Sequence, residues 1–291
     1  MAKLCFAAAV VLASFPASAT TLYTFGADQF GAPTSLNQMD PSSASSVANV
    51  VTPLGDGNTG FNGGLVFDNG LLYAVGNDSS GNASIYSFTL GGGNLTTVSS
   101  DFNDTGGANG FGFYNGLAAI GGTLYAIGTD NSGEDLFQIG NGSATLVQSL
   151  ATFGGTYAGL AYASDQGVFY GVIANSDVGD LLVRIPIAGS AVVAANLTTL
   201  DGAEANTHLG GLAYAGNGIF YDIYTNVNDG NGELEQLSLN GSPAATTLYD
   251  TGIPLAQNAG IAITPEPSSG GLALIGCGVM LCGLFLKRRT I

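Results

Sequence analysis

The sequence predicts an all-β protein made of similar four-stranded units. A Gly-Leu-Ala-Tyr type of phrase, followed after a turn by a Leu-Tyr-Ala-Val-Gly type of strand, begins at Gly64, Gly116, Gly159 and Gly211. Short runs rich in Val, Ile, Tyr and Phe between turns of Gly, Asn and Asp are typical of strands. No long segment has the helical period. Four strands in every 45–52 residues indicate the blades of a β-propeller.

Each repeat is expected to continue in the same way after its first two strands. A polar loop leads to a third strand, such as 84–88 or 135–139, and a weaker fourth strand follows, such as 144–150 or 244–249. Two other all-β folds, a two-sheet sandwich and a β-helix, use the same turn residues. The β-helix would repeat at a shorter period, so it fits the spacing poorly.

The two ends of the repeat region each supply part of a fifth unit. Residues 22–26 resemble the second strand of the repeat without a first one, and residues 260–263 resemble the first strand without a second. We therefore expect 260–263 to pair with 22–26 and to close a five-bladed propeller from both ends. Closure removes the sheet edges that would otherwise be exposed. The predicted propeller domain is 20–263.

Charge is distributed unevenly along the chain. The 291 residues have a formal net charge of −16, and the stretch from Thr20 to Pro267 holds all 21 acidic residues but a single basic residue, Arg184. Such a domain repels phosphate backbones, so no nucleic-acid partner is expected. Cations and neutral polymers such as glycans are compatible partners. The three cysteines all lie outside this stretch, which excludes a disulfide framework, a thiolate zinc site and a cysteine nucleophile within it.

The N-terminal segment 1–19 is predicted to be a secretory signal peptide. Lys3 precedes an apolar run from Leu4 to Phe15, and the small residues Ala17 and Ala19 follow. This order of features is typical of a signal that is removed after export, here between Ala19 and Thr20. The alternative is a buried N-terminal strand or helix. The prediction implies a passage through the Sec export machinery.

The C-terminal segment 264–291 has three parts in a fixed order. Pro265-Glu266-Pro267 leads into 17 charge-free residues, Gly270–Leu286, and Lys287, Arg288 and Arg289 follow. An apolar helix of that length spans about 25 Å, which is at the short limit for one transmembrane helix. The basic cluster is expected to stop the segment on the cytoplasmic side, with the preceding chain outside the membrane.

These C-terminal residues resemble the PEP-CTERM sorting signal of Gram-negative bacteria. The resemblance covers Pro265–Arg289 and is carried by Pro265, Glu266 and Pro267, the apolar span and the basic cluster. It implies processing by an exosortase, an inner-membrane intermediate, and delivery to the cell surface or to the exopolysaccharide matrix of a biofilm. The same tail is sometimes labelled as the C-terminal domain of ice-binding proteins. A plain membrane anchor with a proline-rich stalk is the alternative. The middle of the chain loosely resembles bacterial β-propellers.

The polar loops after the second strands are acidic and suggest a calcium hypothesis. Calcium takes oxygen ligands from carboxylates, Asn side chains and backbone carbonyls. None of these loops matches the twelve-residue calcium loop, and Asp, Asn and Gly are also the residues that tight turns need. Turn formation is therefore the favoured interpretation. The candidate ligands are Asp78, Asp130, Asp135, Asp177, Asp180 and Asp229.

The sequence contains no catalytic constellation. His208 is the single histidine, and it has no positioned partner in the sequence. A hydrolase acting on matrix glycans would need two converging carboxyl groups, for which Asp68 and Asp165 at the blade entries are candidates. Phe111, Tyr114 and Tyr157 could stack on a sugar or pack between blades, and packing is favoured. The sequence thus predicts a non-catalytic exported propeller that binds exopolysaccharide or surface proteins, with a matrix-glycan hydrolase and a ligand-free spacer as alternatives.

Overall fold

A computed structural model describes residues 20–26, 35–52, 54, 60–77, 83–99, 112–130, 133–140, 143–174, 179–201, 210–226, 230–254 and 260–264. Its strands and single short helix follow one another along the chain as β1 (Thr21–Gly26), β2 (Ser35–Asp40), β3 (Ser43–Val51), β4 (Gly60–Asp68), β5 (Leu71–Asn77), β6 (Ala83–Phe88), β7 (Thr96–Ser99), β8 (Gly112–Ile120), β9 (Thr123–Asp130), β10 (Gly133–Gly140), β11 (Ser143–Leu150), β12 (Thr156–Ala163), β13 (Val168–Ala174), β14 (Leu181–Pro186), β15 (Val192–Asn196), α1 (Leu197–Asp201), β16 (Leu212–Gly216), β17 (Ile219–Thr225), β18 (Asn231–Ser238), β19 (Ala244–Pro254) and β20 (Ile261–Thr264).

The strands form five four-stranded antiparallel sheets, which are the five predicted blades. The first blade has the order β20-β1-β2-β3, and the others are β4-β5-β6-β7, β8-β9-β10-β11, β12-β13-β14-β15 and β16-β17-β18-β19. The innermost strands are β20, β4, β8, β12 and β16, and each contacts the innermost strand of the next blade. These contacts close a ring and confirm the five-bladed β-propeller over the two-sheet sandwich and the β-helix.

Strand β20 closes the ring by pairing with β1, as the sequence predicts. The register joins Thr21 to Thr264, Leu22 to Ile263 and Thr24 to Ile261. The Thr24 hydroxyl also donates a buried hydrogen bond of 2.8 Å to the Gly260 carbonyl. Strands β1 and β20 of the first blade are therefore more than 230 residues apart in the chain.

Close backbone contact between the innermost strands explains the recurring glycine. A Cβ built on Gly64 would lie 2.2 Å from the Leu117 nitrogen of the next blade. A Cβ on Gly260 would lie 2.4 Å from the Leu65 nitrogen, so the ring is as tight where the two ends meet as elsewhere. Any side chain at these positions would push neighbouring blades apart, which is why the repeat phrase begins with Gly.

Apolar side chains fill the space between neighbouring blades. Between the β8 and β12 blades, Leu136, Tyr157 and Phe169 pack in one buried cluster. Between the β12 and β16 blades, Tyr170 meets Phe220 edge to face, with ring centroids 4.8 Å apart. Aromatic packing of this kind contributes beyond the area that it buries. The core thus consists of inter-blade layers, because each sheet uses both faces.

The strand directions define two sides of the propeller. The turn face carries the tight turns between first and second strands, such as Asn69-Gly70 and Asn217-Gly218, where all four residues have positive φ. The loop face is the opposite side, where second strands pass to third strands and each innermost strand begins. The short helix α1 follows β15 on the loop face and was not predicted. Among the described residues, no helix has the length and apolarity to cross a membrane.

Candidate functional site

The acidic candidates of the calcium hypothesis divide into described and undescribed residues. Asp78, Asp177 and Asp229 lie outside the described residues, and so does the side chain of Asp130. Asp135, which the sequence places both at the end of a polar loop and at the start of a predicted third strand, lies within strand β10, where it pairs with Gly128 and is 4% exposed. Asp180 is fully buried. The two described candidates are therefore buried groups rather than tips of exposed loops.

Asp180 is part of a backbone link that holds the start of α1. Its carbonyl accepts a hydrogen bond of 2.7 Å from the Leu197 amide, and its own amide donates one of 2.8 Å to the Thr198 hydroxyl. These bonds tie the segment before β14 to the helix that follows β15. In the part of the chain that the structure describes, no three His, Cys, Asp or Glu side chains are placed to hold one metal ion.

The buried Glu134 joins two neighbouring blades at the loop face. Its Oε2 accepts a hydrogen bond of 2.8 Å from the Tyr157 amide at the start of β12, and the side chain is 5% exposed. Burial raises the pKa of the Glu134 carboxyl to about 7, although the hydrogen bond from Tyr157 acts in the opposite direction. The charge state of this inter-blade link therefore changes near neutral pH.

Tyr157 is fully buried and cannot serve as a platform for a sugar. Its hydroxyl donates a hydrogen bond of 2.9 Å to the Ala151 carbonyl. Burial, with a further contribution from the nearby Glu134, raises the pKa of the phenol. The stacking interpretation is wrong for this residue, because the ring packs between blades. Phe111 and the side chain of Tyr114 lie outside the described residues.

A second group of carboxylates lies in the β16-β17-β18-β19 blade, on the face that packs against the β12-β13-β14-β15 blade. Asp222 of β17 is directly opposite Glu235 of β18, and both are fully buried. Two residues closer to the loop face along β18, Glu233 accepts hydrogen bonds of 2.5 Å from Tyr224 and from Asn226. Burial, and secondly the bond to Glu233, raises the pKa of the Tyr224 phenol.

The two blade-entry acids are not brought together. Asp165, in the turn after β12, accepts hydrogen bonds of 2.6 Å from the Tyr214 hydroxyl and 3.2 Å from the Asn217 amide of the next blade. Asp68 accepts one of 2.8 Å from the adjacent Asn69. Their blades are separated by the β8 blade, and both residues lie on the turn face. This pair therefore does not form the converging carboxylates that the hydrolase interpretation requires.

Sequence reasoning missed Glu134, Asp222, Glu233 and Glu235 as structural groups. Their strand positions were predictable in outline, but their partners lie on other strands or blades. One signal in the sequence indicated that Glu235 is buried. It lies within a predicted strand, close to the apolar residues Leu234 and Leu237. His208 lies outside the described residues.

Comparisons with known proteins support the fold alone. No family model matches the chain, and no curated protein is similar to it. Among solved structures, the six-bladed β-propeller lectin of the fungus Aleuria aurantia has a TM-score of 0.52 and 13% identity over 79% of this chain and 74% of the lectin. The Bacteroides ovatus protein titled xyloglucan PUL GH43B has a TM-score of 0.52 and 12% identity over 85% of this chain.

The similar solved structures differ in how much of their own length the match covers. The match to GH43B covers 55% of that chain, so the present protein spans about half its length. A chain of a nidogen/laminin complex has a TM-score of 0.50 and 12% identity, with 84% of this chain and 98% of that one covered. At such identities the likeness concerns the fold and carries no activity with it.

Proposed function

We propose that this chain is an exported, exosortase-processed protein of the cell surface or exopolysaccharide matrix, whose acidic propeller binds or scaffolds matrix polymers without catalysis. The observation that carries the proposal is the position of the closing ladder. Thr21 and Thr264 are the paired end residues of the ring. The predicted signal-peptide cleavage, after Ala19, and the predicted sorting motif, from Pro265, lie directly outside that pair.

The first and last described strands lie next to the two predicted processing points. This agreement supports the removal of both terminal segments from an intact propeller domain. Processing at either point leaves all the described strands in place, because β1 begins at Thr21 and β20 ends at Thr264. Residues Thr21–Thr264 form one compact unit by themselves. A propeller that depends on neither end for its blades is suited to release at the cell surface.

Charge favours a neutral polymer over an anionic one. Arg184 is the single basic residue between Thr20 and Pro267, and its position opposite Tyr170 in the β13–β14 ladder places it within a blade. A polyanion would find few groups to neutralise it, whereas an uncharged glycan pays no Coulombic penalty. The proposal includes calcium as a second means of binding, in which the ion bridges the acidic loops and the polymer.

The experiment is binding of purified 20–264 to the exopolysaccharide of the host, with calcium and with a chelator. We expect saturable binding, and dependence on calcium would assign it to the acidic loops. Heat-denatured protein is the control for nonspecific adhesion, and DNA is the control polymer that should not bind. Absence of binding would contradict the proposed ligand and favour the spacer or a surface-protein partner. Release of new reducing ends from the polymer would instead establish the hydrolase.

A further inference from the structure

The outermost strand of every blade exposes two consecutive side chains at the same register. In each blade the ladder between the third and fourth strands has a bulge at an equivalent position, which is Leu182/Val183 in the β12 blade. The two fourth-strand residues on the turn-face side of this bulge are exposed in all five blades. These pairs are Ala48-Asn49, Thr96-Thr97, Thr145-Leu146, Val192-Val193 and Thr246-Thr247.

The pair in β15 differs from the other four because both of its residues are large and apolar. Val192 is 50% exposed and Val193 is 47% exposed, and Ile187, in the turn before β15, is 48% exposed. Three of the five large apolar side chains that the described residues expose therefore lie at this one edge. Valine is also among the residues that favour strand pairing. The edge of β15 is thus both the most apolar and the best suited to accept another strand.

Strand β15 is the last strand of its sheet. The order β12-β13-β14-β15 leaves its outer edge without a strand partner in the part of the chain that the structure describes. Such an edge presents backbone N–H and C=O groups that can pair with another chain. Charged side chains and proline commonly protect exposed edges, and β15 contains neither. The bulge at Ala194 limits pairing to the residues before it.

Charge favours a second copy of this chain as the partner of the edge. From Leu181 to Leu200 the sequence has no acidic residue and one basic residue, Arg184, although the stretch from Thr20 to Pro267 holds 21 acidic residues. Two copies that meet at this edge keep their acidic residues away from the contact, so like charges oppose the association least there. The β19 edge, in contrast, carries the exposed Asp250.

We propose that the chain forms a symmetric dimer in which β15 pairs antiparallel with β15 of a second copy. A twofold axis beside Val192 and Val193 makes one edge complementary to itself, as in most homodimers. The valines of the two copies then become cross-strand neighbours on both faces of the joined sheet. The bulge keeps the ladder short, so the contact is small and the dimer depends on concentration. The dimer does not depend on the polymer ligand proposed above.

The test is analytical ultracentrifugation of the chain 20–264, which contains every described strand within one compact unit. Val193→Lys places like charges near each other across the pair, and Val193→Thr introduces the residue type of Thr97 and Thr247. Leu146→Lys is the matched control, because Leu146 has the equivalent register in β11 and is 54% exposed. Circular dichroism checks that each variant is folded. Hydrogen exchange at high and low protein concentration locates the strand that pairs.

We expect the native chain to dimerise, and more strongly in high salt, which screens the repulsion between acidic domains. Val193→Lys should raise the dissociation constant about tenfold or more, the effect of losing one buried apolar contact. Val193→Thr should raise it less, and Leu146→Lys should leave it unchanged. Amide protection should increase in β15 and not in β11.

A native chain that stays monomeric at every concentration would overturn the proposal and leave the edge to a different partner. A dimer that Val193→Lys does not weaken would overturn the role of β15. Equal weakening by Leu146→Lys, or protection of another outermost strand, would replace symmetric β15 pairing with a different contact. Loss of the dimer only in variants that circular dichroism shows to be unfolded, without protection of β15 in the native dimer, would likewise contradict it.

Discussion

The α-carbon of Gly211 packs against the backbone of Ile261 in the closing strand. A Cβ built on Gly211 would lie 2.3 Å from the Ile261 nitrogen, closer than real Cβ contacts come. Equivalent contacts join Gly116 to Leu160 and Gly159 to Leu212. The first glycine of each repeat thus sets the spacing between neighbouring blades all around the ring. A methyl group added at one of these glycines must push two blades apart.

Gly211→Ala is therefore expected to destabilise the propeller by about 3 kcal/mol, the upper part of the range for overpacking a closely packed site. The neighbouring atoms are backbone and cannot rotate away. Urea unfolding followed by circular dichroism measures the loss. Gly91→Ala is the matched control, because the nearest atom to a Cβ there is 4.0 Å away. Equal unfolding midpoints for the two variants would contradict the role of the close contact.

Removing the closing strand should destabilise the whole domain. A chain of residues 20–258 lacks β20, so β1 keeps β2 but loses its other ladder partner, and the Thr24 hydroxyl loses the Gly260 carbonyl. The exposed edge of β1 would also promote aggregation. Thermal unfolding of 20–258 beside 20–264 measures the effect, and we expect a clearly lower midpoint for the shorter chain. The same midpoint for both chains would refute closure by the two ends.

The sequence predicted the blades because their strands are set by local pattern. Repeating tyrosines and turn glycines placed all five sheets, and the pairing of Leu22 with Ile263 followed from the incomplete repeats at the two ends. Side-chain partners could not be predicted in the same way. The bond from Tyr157 to Glu134 crosses between blades, so it depends on blade rotation and register rather than on neighbours in the chain.

Asp165 and Asp68 occupy equivalent turns and should differ in their effect on stability. Asp165 accepts two hydrogen bonds from the next blade, whereas the hydrogen bond that Asp68 accepts comes from its own turn. We expect Asp165→Ala to cost about 1 kcal/mol, the scale of an exposed charge-assisted bond, and Asp68→Ala to cost much less. Denaturant unfolding of both variants makes the comparison. A larger loss for Asp68→Ala would contradict the inter-blade role of Asp165.

Glu266 tests the proposed sorting signal independently of the propeller. Glu266→Ala changes the Pro-Glu-Pro motif but leaves the residues of the closing ladder, which end at Thr264, unaltered. We expect the full-length variant to accumulate in the inner membrane instead of reaching the surface. Cell fractionation with an antibody to the propeller measures this, and Ser268→Ala is the neighbouring control. Unchanged surface delivery of Glu266→Ala would refute the PEP-CTERM interpretation.

Glu134 should make stability depend on pH near neutrality. Burial raises its folded-state pKa to about 7 from the usual 4.5, so the folded protein binds a proton that the unfolded chain has released between these values. The contribution is complete below about pH 4.5 and is lost as the pH rises through about 7. The change is on the order of 3 kcal/mol.

Glu134→Gln keeps a side-chain oxygen that can accept the hydrogen bond from the Tyr157 amide, but it cannot ionise. We therefore expect this variant to lose less stability than the native protein between pH 5 and pH 8, as measured by urea unfolding at each pH. Asp40→Asn is the control, because hydrogen bonds from the Ser42 hydroxyl and amide hold the pKa of the Asp40 carboxyl below its usual value, outside this window. The same pH slope in Glu134→Gln and in the native protein would show that another group causes the dependence.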